Sequence, residues 1–150
     1  MKYKLGDLII QSDERNSELS YSINNVKGIS IKKEFIETKA KMDGVSLKPY
    51  KVVPPGYFAY VTVTSRNSEK ITLAYNDTDN TYIVSSSYIV FEVDKKNILL
   101  PEYLFMFFNR PEFDRLARFN SWGSARETFT WEDICDLKII IPPIDIQKNM

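Results

Sequence analysis

Hydrophobic and polar positions follow two patterns along the chain, a strand-like one first and a helix-like one later. Lys51–Val53 and Tyr57–Thr64 alternate β-branched and aromatic residues around Pro54-Pro55-Gly56, which predicts two strands about a turn. Arg66–Lys70 is a polar hairpin tip, Ile71–Tyr75 pairs back, and Asn76–Asn80 supplies the Asn, Asp and Thr of a second turn. Tyr82–Val93 reads as one long strand region. Val26–Ile31 is a short strand or turn, and Lys4–Ile10 is open to either a helix or a strand. Ser12–Ser22 is polar and loop-like, and Lys33–Ala40 is too charged and too short to assign.

The later part turns helical. Pro101 sits where a first helical residue belongs, and Leu104, Phe105, Phe107 and Phe108 make the segment after it strongly apolar. Asn109 and Pro111 interrupt it, and Pro111–Phe119 starts a second helix with Phe113, Leu116 and Ala117 inward. This aromatic cluster is core rather than a base-stacking platform. Thr130 caps a short helix, Trp131–Cys135, with Asp133 in the place of the capping-box acid. Leu137–Ile141 is a buried strand that Pro142-Pro143 ends. The expected architecture is α+β: one domain with a β-rich N-terminal part and a C-terminal helix–loop–strand part.

Composition narrows the class. The 150 residues are 43% hydrophobic and 13% aromatic, enough for one core and too few to promise two. No run approaches the roughly 18 to 20 apolar residues of a membrane span. The first residues carry no apolar signal segment, and the single Cys135 cannot form an internal disulfide. The expectation is a cytoplasmic protein with no membrane partner.

A net charge of zero conceals an asymmetry. Residues 1–75 hold 12 Lys/Arg against 8 Asp/Glu, and residues 76–150 hold 8 against 12. Seven lysines (27, 32, 33, 39, 41, 48 and 51) fall within Lys27–Lys51 beside three acids, Glu34, Glu37 and Asp43. Such a window is either a phosphate-facing patch or a solvated lysine-rich surface.

Much chemistry is absent. Without histidine there is no His-based triad, His general base or ordinary His/Cys zinc site. The five glycines (6, 28, 44, 56 and 123) form no nucleotide-phosphate loop. Val53-Pro54-Pro55-Gly56-Tyr57 lacks the Asn of an amino-methyltransferase motif, and Gly56 separates its prolines from the aromatic. Twenty carboxylates show no diagnostic pairing. Enzymatic activity has no positive support, and no cofactor or metal is expected.

Six pieces in order carry a resemblance: "KLGD" (Lys4–Asp7), "NNVKGISIKKEF" (Asn24–Phe35), "YKVVPPGYFAY" (Tyr50–Tyr60), "YIVSSSYIVFEV" (Tyr82–Val93), "LLPEYLFMFFNRPEFDR" (Leu99–Arg115) and "GSARETFTWEDICDLKIIIPPIDIQ" (Gly123–Gln147). With this order and spacing the chain resembles a target recognition domain of the specificity subunits of type I restriction–modification systems. It departs in the hairpin near Arg66–Lys70, which is often more basic in that family and here carries Glu69.

The resemblance implies a reader of double-stranded DNA with no chemistry of its own. A specificity subunit holds two such domains, each reading one half of a bipartite target, with helices between them setting the spacing. Modification subunits flip an adenine and methylate it using S-adenosylmethionine, and restriction subunits cleave. The implied partners are therefore DNA, the modification and restriction subunits, and a second recognition domain in the same or another chain. The spacer helix is expected near Gln147, so the domain is expected to fill residues 1–150 and stop where that helix begins. The alternative is a truncated, specificity-like interaction module that binds modification subunits without productive DNA reading.

Phosphate and base contacts need cations, hydroxyls and amides at loop tips. The candidates are Lys32, Lys33, Arg66, Asn67, Lys70, Ser124, Arg126 and Thr128. A salt bridge to Glu127 or Glu132 is the competing role for Arg126, and a solvated face is the competing role for Lys32 and Lys33. Trp122 and Trp131 read as packing residues.

Overall fold

Phe58, Ala59 and Tyr60 are all inaccessible to solvent, yet they belong to two different cores, because successive strand residues point to opposite faces of a sheet. The structure is a computed structural model that describes residues 2–30, 32–37, 46–61, 72–113 and 130–149. Its elements run β1 (Lys2–Lys4), a 3-10 turn (Leu5–Asp7), β2 (Ile9–Ser12), a second 3-10 turn (Ile23–Asn25), β3 (Lys27–Ile29) and β4 (Phe35–Glu37). Then come β5 (Lys51–Val53), β6 (Phe58–Val61), β7 (Leu73–Tyr75), β8 (Tyr82–Val84) and β9 (Tyr88–Val93). The chain closes with α1 (Pro101–Phe108), α2 (Trp131–Asp136), β10 (Lys138–Ile140) and α3 (Ile144–Lys148). This is the expected strand-rich α+β single domain.

The central sheet has the order β2-β9-β6-β7, with two-stranded sheets β1-β10, β3-β4 and β5-β8 around it. One face of the central sheet carries Phe58, Tyr60, Leu73, Phe91 and Val93 against α1 and its surroundings. The rings of Phe58 and Phe91 stack at 5.0 Å, and Phe108 meets Phe113 edge-on at 4.8 Å. Burying each such side chain contributes about 1.5 to 3 kcal/mol. The other face carries small residues, Ala59, Ala74 and Val90, which let Val53, Val84 and Ile29 pack close.

Several expectations are met residue by residue. Thr130 Oγ1 accepts from the Asp133 N–H at 3.1 Å while an Asp133 carboxylate oxygen accepts from the Thr130 N–H at 2.9 Å, the reciprocal capping box. Pro101 is the first residue of α1, which ends at Phe108 before Asn109. Strands β6 and β7 pair antiparallel, Phe58 opposite Tyr75 and Tyr60 opposite Leu73. The turn after them is organised by Asn76, whose side chain donates to Val53 O and Asn80 O and accepts from Thr78.

Elsewhere the structure corrects an expectation or decides one left open. Tyr82–Val93 is not one strand: a turn at Ser85-Ser86-Ser87 separates β8, which pairs with β5, from β9, which pairs with β6 and β2. Lys4–Ile10 becomes a 3-10 turn followed by a strand. The unassigned segment after Lys33 holds β4, which pairs with β3 as a hairpin. In the strand before Pro142-Pro143, Ile139 is buried but Ile140 is 73% exposed, so β10 has only one buried face. A short helix, α3, spans Ile144–Lys148 after the prolines. Gln147 is buried there, donating to Ile98 O and Pro142 O and accepting from the Leu100 N–H, each at 2.8 Å. The second helix expected from Pro111 is helical over 111–113, and its remainder lies outside the described residues.

Candidate DNA interface

The turn between β3 and β4 places Lys32 and Lys33 at a hairpin tip. Ser30 organises it: its N–H donates to Glu34 O at 2.9 Å, its carbonyl accepts from the Lys33 N–H at 3.0 Å, and its hydroxyl accepts from the Lys32 N–H at 3.2 Å. Lys33 has φ of +62°, the left-handed region, which costs a side-chain-bearing residue roughly 1 to 2 kcal/mol. The two lysines then part ways. Lys32 is exposed, whereas Lys33 is only 4% exposed.

Beside the tip lies an open groove of about 440 Å³, lined by Lys32, Phe35, Asp77, Tyr82 and Asn109 among others. Its lining mixes rings with polar residues, and Phe35 and Tyr82 sit with centroids 5.2 Å apart. Tyr75, also in the lining, has its phenol pushed up to about 12, first by burial and then by Glu102 and Asp77. It is therefore a neutral hydroxyl at physiological pH.

The lysine-rich window does not form one patch among the described residues. Lys27 pairs with Glu37 and lies 5.3 Å over the Tyr82 ring. Lys51 is 7% exposed, and its ammonium donates to Tyr88 O at 2.6 Å and lies 3.9 Å from Asp13. Burial first, and then the Arg15 guanidinium, holds the Lys51 pKa below the usual lysine value, with Asp13 opposing. Arg15 in turn donates to Asp13 and to Pro49 O. Lys32 and Lys48 remain exposed.

Of the other candidates, Arg66, Asn67 and Lys70 fall in 62–71, and Ser124, Arg126 and Thr128 fall in 114–129, all outside the described residues. The first group is bracketed by the paired strands β6 and β7, and the second ends at the Thr130 cap. Trp131 packs, as expected, 5.3 Å from Phe91, and Trp122 lies outside the described residues.

Sequence reasoning missed a second group of cations. Strands β1 and β10 pair with Lys4 opposite Lys138 and Lys2 opposite Ile140. Tyr3 and Ile139 face the core, so Lys2, Lys4 and Lys138 share the outer face. The alternation Lys2-Tyr3-Lys4 was a usable signal, but the pairing of the two distant segments was not visible.

A family model for the type I restriction modification DNA specificity domain matches residues 2–150. The chain therefore belongs to that family. Solved structures share the fold at low identity. A chain from a structure describing complex assembly and conformational transition of the type I R-M system matches with TM-score 0.67 and 18% identity. The HsdS subunit from Thermoanaerobacter tengcongensis matches at 0.61 and 19%, and a type I restriction–modification S subunit from M. genitalium at 0.56 and 8%. Each covers 99% of this chain, which spans 39%, 39% and 36% of theirs respectively. No curated protein matches the sequence. Among the described residues, no helix is long and apolar enough to cross a membrane.

Proposed function

We propose that this domain reads one half of a bipartite DNA target within a type I specificity subunit. It is a non-catalytic reader that directs adenine methylation and cleavage carried out by modification and restriction subunits. The observation that carries this reading is the match to the DNA specificity domain family across residues 2–150. The absence of histidine and of a nucleotide-phosphate loop is consistent with it.

In this reading Lys32 at the hairpin tip, Arg66, Asn67 and Lys70 between β6 and β7, and Ser124, Arg126 and Thr128 before the Thr130 cap contact DNA. Lys33 supports the tip from inside. A half-site reader shares its affinity with a second domain and with partner subunits, which suits a chain of zero net charge.

The test is to place the domain in a specificity subunit with a second recognition domain, co-express modification subunits, and sequence the methylated adenines. One half-site should change with this domain while the other stays constant. A subunit that assembles yet methylates independently of this domain contradicts the reading, and points to an interaction module instead.

A further inference from the structure

We propose that the outer face of the β1–β10 ribbon, carrying Lys2, Lys4 and Lys138, is a phosphate-contact surface for the DNA backbone. The inference rests on the reading of the domain as a DNA binder and names a second place where it holds the duplex.

Strand register puts the charges together. Lys4 stands directly opposite Lys138, and like charges directly opposite across an antiparallel pair are destabilising. Lys2 lies two residues from Lys4 on the same strand and face, roughly 6.8 Å away at antiparallel strand rise. The three ammonium groups thus sit within about one Debye length of one another at physiological salt. Their only ion pair among the described residues is Lys4 with Asp136, at 3.4 Å, and Asp136 is itself 69% exposed. Lys2 and Lys138 carry no ion pair there, and Ile140, the fourth residue of the face, is uncharged.

Solvation does not require this arrangement. An outward strand face needs polar residues, which Thr, Gln or a Lys–Glu pair would supply, and the last of these would be stabilising. Protein-binding surfaces are depleted of lysine, whereas phosphate oxygens are what lysines on a polar face contact. The face thus fits a polyanion, and duplex DNA is the polyanion to which the proposed function points.

The experiment uses the 150-residue chain, a fluorescent random-sequence duplex and a salt series. Compared are the parent, the triple variant Lys2→Gln/Lys4→Gln/Lys138→Gln, the matching triple Lys→Arg variant, and Lys32→Gln, with melting curves for each. The triple Gln variant should melt no lower than the parent, since it removes the like-charge pair, while its log–log salt slope shrinks by about 2 to 3. The Arg variant should keep the parent slope. A parent that binds with salt dependence alongside a triple Gln variant of equal slope overturns the inference and leaves the DNA-binding reading standing. The inference is equally overturned if that variant only aggregates through its exposed strand edges, or loses modification-subunit binding but not DNA. A parent without salt-dependent binding contradicts both.

Discussion

Two groups of lysines in this molecule have opposite fates. Those between Lys27 and Lys51 crowd one stretch of sequence, yet among the described residues they part: Lys27 goes to Glu37 and the Tyr82 ring, Lys51 to the Tyr88 carbonyl, Lys33 is buried, and Lys32 and Lys48 are exposed. Lys2, Lys4 and Lys138 come from opposite ends of the chain, and the fold gathers them on one solvent-facing ribbon. Local charge density is thus a poor guide to where a field is presented. Strand register decides it, because one pairing step places a side chain either in the core or in water.

The largest expected effect comes from breaking the ribbon's support. Gly6 lies against Cys135, and a Cβ built at Gly6 would stand 2.7 Å from Cys135 Cβ and 3.0 Å from its carbonyl oxygen. Gly6→Val should therefore destabilise the fold by about 3 kcal/mol, the upper end of overpacking costs, as read by chemical denaturation. Because the clash separates the turn after β1 from α2, hydrogen exchange at Leu5 should rise first. An unchanged midpoint would mean that the ribbon is not held by this contact.

Next is a lysine of the dispersed group. Lys51→Ala removes the donor to the Tyr88 carbonyl and should cost about 1 to 3 kcal/mol, while leaving the salt slope of DNA binding unchanged. If the slope falls with little loss of stability, Lys51 belongs to the interface and the two lysine groups do not differ as described. Lys32→Ala, at the exposed tip, should do the reverse, changing melting by under about 0.5 kcal/mol while weakening DNA binding.

The smallest effect is electrostatic and concerns two tyrosines, one of which, Tyr75, lines the groove beside the tip. Tyr57 is pushed up to about 12 mainly by its hydrogen bond to Glu92, and Tyr75 to about 12 mainly by burial, from an ordinary 10.0. Between pH 10 and 12 the unfolded chain therefore sheds protons that the folded chain keeps, so stability should fall as pH rises through that window. Lys51, with its pKa depressed by burial, acts in the opposite sense below 10.5 and partly offsets the loss. Tyr57→Phe should flatten the alkaline decline, and a decline as steep as the parent's would mean that Tyr57 contributes nothing to it.

What could be read from sequence was what local chemistry determines. The Thr130–Asp133 capping box spans four residues, the β6–β7 hairpin is flagged by alternation, and Pro101 starts a helix for the same reason in any chain. What could not be read depends on distant partners. Ser85–Ser87 break the Tyr82–Val93 stretch because β8 and β9 join different sheets, and no local pattern says so. The ribbon pairs Lys4 with Lys138 across nearly the whole chain, and the buried lysines became visible only once Tyr88 O and the Ser30 turn were placed beside them. The family, by contrast, was legible from six ordered pieces, since order and spacing survive where single residues do not.

The dispersal of one lysine group and the gathering of the other can be read together by lysine acetylation of the 150-residue chain, mapped by mass spectrometry with and without duplex DNA at low salt. DNA should protect Lys2, Lys4, Lys138 and Lys32, while Lys27 and Lys51 react to the same extent in both conditions. Protection centred on Lys27, Lys48 and Lys51, with the ribbon lysines unchanged, would contradict the assignment of the ribbon as the phosphate-contact face.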